Sequence, residues 1–200
     1  LFAKLGLKLH VFWHAFSSNA QSNPMQKIVR FSMLFGLLLV WLFLQVACTT
    51  VTETHTLTLK GVVLAAEGPL FSGSNTAQGI ATPDLAGWLQ SKKRSVQDVR
   101  DARLVRVVIQ AQDAASMQAI SSMSMSFASD MLDMQPVGVL NPVPEGVPNA
   151  SVSVADKQKH TLAFLRQPVF MVLLDCDMPQ DAEDDLTLTA DLEFEILLKQ

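Results

Sequence analysis

From Leu186 to Leu198 every even-numbered residue is apolar, and every odd-numbered one except Leu197 is polar. Successive side chains of an extended chain point to opposite faces, so the stretch reads as one long strand with a single dry face. Shorter versions recur. Thr54–Lys60 alternates around Leu57 and Leu59, Arg103–Gln112 around Val105, Val107 and Ile109, and Ser122–Phe127 places Met123, Met125 and Phe127 together. Phe170, Val172, Leu174 and Cys176 share another face, and residues 136–140 and 150–154 are shorter candidates. Gly, Pro, Asn and Asp clusters separate these runs, which points to an antiparallel sandwich or barrel and away from a wound α/β sheet. Helical signals are few: Thr82-Pro83-Asp84-Leu85 starts a short helix through Trp88, and Ser95-Val-Gln-Asp98 approximates a capping box ahead of Val99. Both read as small crossover helices, with Lys92-Lys93-Arg94 between them as a solvated turn.

The N-terminal quarter has a different grammar. Lys27 and Arg30 precede an apolar run from Phe31 to Leu44, and Gln45-Val46-Ala47 leads to Cys48. A cationic start, a short apolar core and small residues before a cleavage point have the order of a secretory signal peptide. The same run is just long enough to be weighed as a transmembrane anchor. Met25 is the natural start, so 1–24 reads as upstream-translated or non-native sequence, 25–47 as the signal peptide, 48–53 as a tether and 54–200 as the folded domain.

Composition narrows the partners. Residues 48–200 hold all nineteen acidic side chains but only eleven of the fifteen basic ones, a formal charge of −8. Nucleic acid is not an expected partner, because phosphate binding needs a basic footprint. The acidic balance also speaks against electrostatic adhesion to an anionic bilayer, which leaves membrane attachment to a lipid.

Val46-Ala47-Cys48 after the apolar run resembles the lipobox of bacterial lipoproteins processed by signal peptidase II, with Gln45 standing where leucine is usual. The resemblance implies a covalent lipid such as palmitate on Cys48 and a place in the bacterial cell envelope, at the outer membrane. Further on, Gly68–Gln78, Val137–Pro142 and the acidic turn before the last strand resemble envelope lipoproteins with one immunoglobulin-like domain. That resemblance implies an all-β, antiparallel immunoglobulin-like β-sandwich with one or two short crossover helices behind the signal peptide. It attaches no activity. The Cys…Trp…Cys core of antibody domains is missing.

Candidate chemistry is sparse. Asp175, Asp177, Asp181, Glu183, Asp184 and Asp185 gather six carboxylates in the connection between the last two strands, an arrangement that calcium could use. EF-hand spacing fails, because Gln180 occupies the glycine position and Leu186 that of the bidentate glutamate, so the expected role is solubility and turn formation without a stoichiometric metal. Once Cys48 is acylated, Cys176 has no disulfide partner and reads as a buried, inert thiol. No catalytic residues and no cofactor are assigned. The leading expectation is a lipid-anchored, noncatalytic envelope protein that is structural or binds a protein partner. The alternative is a module that binds a saccharide, a peptide or calcium, and it requires the 71–78 and 141–149 loops to meet in a concave pocket.

Overall fold

In the computed structural model the chain is described over residues 52–154 and 161–199. Eight strands carry it: β1 (Thr52–Ala66), β2 (Gly73–Ala81), β3 (Val99–Ala111), β4 (Ser122–Ser129), β5 (Leu132–Leu140), β6 (Asn149–Val154), β7 (Phe170–Met178) and β8 (Leu186–Lys199). Three short helices sit in the connections: α1 (Leu85–Ser91), α2 (Ala114–Gln118) and α3 (Leu162–Leu165). Asp84 caps α1 through its carboxylate to the Gly87 N–H, so that helix begins two residues later than Thr82 would place it. Ser95 and Asp98 form the expected capping box, on a single 3-10 turn. Among the described residues no helix is long and apolar enough to cross a membrane.

The strands close into an antiparallel barrel in the order β1-β2-β7-β4-β5-β6-β3-β8. This closure overturns the immunoglobulin-like sandwich. It also places the last two strands in different sheets, although the short connection between them suits a hairpin: β7 pairs with β2 and β4, whereas β8 pairs with β1 and β3. Two four-stranded sheets, β1-β8-β3-β6 and β2-β7-β4-β5, are joined along two narrow seams. β1 meets β2 at one position, Ala65 with Gln78, and β5 meets β6 at two. Eight strands in this order are a jelly roll, in which the chain shuttles between two sheets and closure removes exposed edges.

Burial follows the alternation. Leu188, Leu192, Phe194 and Ile196 of β8 lie in one sheet and Phe170, Val172 and Leu174 of β7 in the other, all buried. Phe127 bridges the sheets, its ring centroid 4.9 Å from that of Phe170 and 6.2 Å from that of Phe194, and Phe164 of α3 adds an edge-on contact at 5.7 Å. Thr161 fastens α3, its backbone N–H and hydroxyl both donating to the Ala102 carbonyl. β3 departs from simple alternation. A bulge between Leu104 and Arg106 shifts the phase, so Leu104 is buried where Val105 was expected.

Candidate functional site at the two ends of the barrel

Because every ladder is antiparallel, the connections fall alternately at two ends. Segments 67–72, 112–121, 141–148 and 179–185 share one end. Segments 82–98 and 130–131 share the other with residues 161–169, the start of β1 and the end of β8.

The first end is uniformly acidic. Its connections and adjoining strand ends carry Glu67, Asp113, Glu145 and the six carboxylates from Asp175 to Asp185, with no Lys, Arg or His. Four of the six clustered carboxylates have hydrogen-bond partners elsewhere in the barrel. Asp181 accepts the Ser72 N–H at 2.7 Å and Asp185 the Gly68 N–H at 2.8 Å. These two bonds flank the bridge in which Leu70 and Ala182 exchange backbone hydrogen bonds. Asp175 accepts the Thr76 hydroxyl at 2.6 Å and Asp177 that of Ser121 at 3.0 Å. Glu183 and Asp184 are exposed. Among the described residues no three His, Cys, Asp or Glu side chains converge in a way that could hold a metal.

Asp181 and Asp185 therefore act as a two-point clasp between the 67–72 and 179–185 segments, a role beyond the expected turn formation. Asp181→Ala or Asp185→Ala is expected to lower stability by about 1 kcal/mol, the scale of a charge-assisted bond open to water. Glu183→Ala and Asp184→Ala should be neutral or slightly stabilising, since they remove only repulsion. Urea unfolding of the four variants checks the ranking. Calcium and magnesium should raise the melting temperature slightly and about equally. A calorimetric isotherm with one tightly bound calcium per chain, lost in Asp181→Asn, would contradict this.

Among the clefts lined by described residues, the segments proposed to form a ligand pocket line separate ones. Residues 73–81 are strand β2, and Asn75 and Thr76 line a cleft with Ala65–Glu67, whereas Asn149 lines a separate cleft with Arg106, Gln110 and Glu193. A further depression lies on the β1–β2 seam. There the strands diverge and leave an open groove of about 820 Å³ lined by Leu57–Val63, Ile80, Thr82, Asp84 and Trp88. Gly61 makes the local backbone possible. It adopts φ +65°, in the left-handed region that favours glycine, at the bulge between β1 and β8, and its N–H donates to Asp191.

No family model matches the chain, and no curated protein matches it. Among solved structures it is similar to the infectious bursal disease virus VP2 subviral particle at 10% identity and TM-score 0.35, over 74% of this chain and 33% of that one. The chain thus spans a third of that viral protein's length. It is also similar to turnip yellow mosaic virus in its empty-head form, at 10% identity and TM-score 0.28 over 77% and 83% of the two chains. Cocksfoot mottle virus gives 12% identity and TM-score 0.29 over 74% and 83%. The jelly-roll assignment rests on the strand order of this chain, not on these likenesses.

At the second barrel end the charges are mixed and partly paired. Glu53 accepts a hydrogen bond from Arg94 at 2.7 Å and lies 2.8 Å from Nε2 of His55, whose ring stands edge-on to Trp88. The Arg94 guanidinium, followed by the His55 bond, holds the Glu53 carboxyl below its usual range. Asp98 is lowered too, by the Ser95 N–H and hydroxyl. A carboxyl with a depressed folded pKa contributes stability at neutral pH that is lost as pH falls through the folded value, so both contributions vanish in acid. Lys92 Nζ sits 5.7 Å from the Trp88 ring centroid. Sequence patterning had isolated Trp88 and the basic run separately, and helix α1 brings them together.

Cys176 is fully enclosed between the sheets, with its Sγ 3.7 Å from the Leu174 carbonyl. Burial first, then the nearby Asp175 charge, pushes the thiol up to about 12. A thiol so placed is not a nucleophile at neutral pH. In the Cys48→Ser chain, Ellman's reagent should find no reactive thiol in the native state at pH 8 and one after guanidinium unfolding. The raised folded pKa also has a linkage consequence, because the folded state holds its proton longer than the unfolded one. Stability is therefore undiminished below about pH 9 and falls as pH rises from there toward 12. Cys48, the proposed lipidation site, and His160 lie outside the described residues.

Proposed function

We propose that this protein is a lipid-anchored, noncatalytic component of the bacterial envelope, a jelly-roll barrel held at the outer membrane by an acyl group on Cys48 for a structural or protein-binding role. The observation that carries the reading is the order of cationic start, apolar run and Val46-Ala47-Cys48. Further support comes from the barrel itself. Its thiol is enclosed, and its acidic residues largely serve its own backbone and hydroxyl groups. A single acyl chain holds a protein only marginally, so the reading requires more than one chain on the processed cysteine. Radiolabelled palmitate should label the wild-type chain in a bacterial host and fail to label Cys48→Ser. Label retained in that variant, or a mature N-terminus elsewhere, would reject the reading.

The seam groove gives the alternative its one specific observation. Its volume suits a small ligand, and Trp88, Lys60 and Asp84 put an aromatic ring and both charges at its rim. A peptide or saccharide bound there should quench or shift Trp88 fluorescence, and a weakened titration in Lys60→Ala, with Trp88 kept as the reporter, would assign the site.

A further inference from the structure

The net charge of the barrel is segregated. Across the described residues there are nine basic and eighteen acidic side chains, and nine of the acidic ones belong to the 67–72, 112–121, 141–148 and 179–185 end or its adjoining strand ends. Everything else balances to zero. The chain enters the barrel at the opposite end, where β1 starts at Thr52. That end presents exposed Lys92, Lys93, Arg166 and Lys199 together with exposed Met131 (78%) and Val169 (48%).

We infer that the barrel stands on the bilayer with the 82–98 and 130–131 end against anionic lipid and the acidic end directed away from it. The inference rests on the lipid-anchor reading and adds an orientation to it. Four residue steps separate Cys48 from Thr52, a reach of about 14 Å when fully extended. A nine-residue strand such as β7 spans about 30 Å. The tether is therefore too short to let the barrel invert and bring its acidic end to the membrane. Electrostatics acts the same way, since nine unpaired-by-cation carboxylates are repelled by an anionic surface within a Debye length of about 8–10 Å, whereas at the other end exposed Asp84 and Asp130 are offset by exposed Lys92, Lys93, Arg166 and Lys199. Lys92 over Trp88 supplies the pairing of long cation and indole that suits the interfacial zone, and Met131 and Val169 supply apolar contact. The overall acidity of the domain spoke against adhesion to an anionic bilayer. Its confinement to one end removes that objection for the other.

The test uses the full chain, purified from membranes and reconstituted in vesicles of phosphatidylethanolamine and phosphatidylglycerol, with nitroxide attached to Met131→Cys or Glu145→Cys. Both positions are exposed, and the wild-type chain, with Cys48 acylated and Cys176 enclosed, takes up no label. Floated vesicles should show loss of relaxation by an aqueous nickel chelate at position 131, with oxygen collisions retained, and full nickel relaxation at position 145. Equal nickel relaxation at both positions, or protection at 145 alone, overturns the orientation while the anchor stands. Labelling of the wild type, or failure to float, removes the anchor and the orientation with it.

Discussion

Phe127→Ala is expected to destabilise the barrel by about 3–5 kcal/mol, the range for deleting a buried aromatic ring from a close-packed core. The ring is completely enclosed and, alone among the described aromatic side chains, touches Phe170 in its own sheet, Phe194 in the opposite sheet and Phe164 in the α3 plug. Removing it leaves a void between elements that are tied to different ladders, so neither sheet can close over the gap without disturbing its own pairing. Phe194→Ala should fall in the same range. Glu193→Ala, on the outer face of the adjacent position, should change little. Urea unfolding followed by tryptophan fluorescence and circular dichroism gives the three values. Equal losses from Phe127→Ala and Glu193→Ala would reject the packing described here.

Seven of the eight strands were legible because one of their faces is dry, and alternation is what a one-sided core writes into a sequence. β2 was not. Gly73-Ser-Asn-Thr-Ala-Gln-Gly-Ile-Ala81 contributes only Ala77 and Ala81 to the buried face, and its small residues read as a loop. The bulge in β3 was invisible for a related reason. An extra residue between Leu104 and Arg106 changes which side chains face inward without changing composition, so Val105 and Leu104 exchange roles. Topology failed at a higher level. Matched alternation in β7 and β8 is equally compatible with pairing side by side and with facing one another from opposite sheets, and a short connection favours the first reading. The structure takes the second, and the closed order of strands follows from it.

The carboxylates were legible as a cluster and not as a clasp. Spacing along 175–185 shows the acids, but their partners Gly68 and Ser72 lie more than a hundred residues away, and the donors are backbone amides that any residue type supplies. The charge segregation was hidden in the same manner. Glu67, Asp113 and Glu145 are isolated in the sequence, and only the alternation of connections between two ends collects them beside the acidic turn. A count over the whole domain, −8, therefore averages one strongly acidic end with a balanced remainder.

Gly79→Ala is expected to cost about 2–3 kcal/mol, toward the upper part of the usual range for overpacking, because the obstruction is backbone. A Cβ built on Gly79 overlaps the Val63 carbonyl oxygen and comes within 2.9 Å of the Leu64 side chain. Flexible side chains can move aside, but Val63 belongs to β1, whose neighbouring residues are held in register with β8 from Val62 to Ala66. The methyl group can be accommodated only by prying β2 away from β1, at the seam where the two strands share a single paired position. Closure should fail first at that point, exposing Leu64, which is fully buried in the intact barrel. The small inward residues of β2, which hid the strand in the sequence, are on this account what lets the barrel close. Gln78→Ala, on the exposed face of the same strand, should be close to neutral. Hydrogen exchange should show the β1 and β2 amides near the seam opening earlier in Gly79→Ala, while β3 and β8 keep their protection. A variant as stable as wild type, with unchanged seam exchange, would contradict the close approach of the two strands.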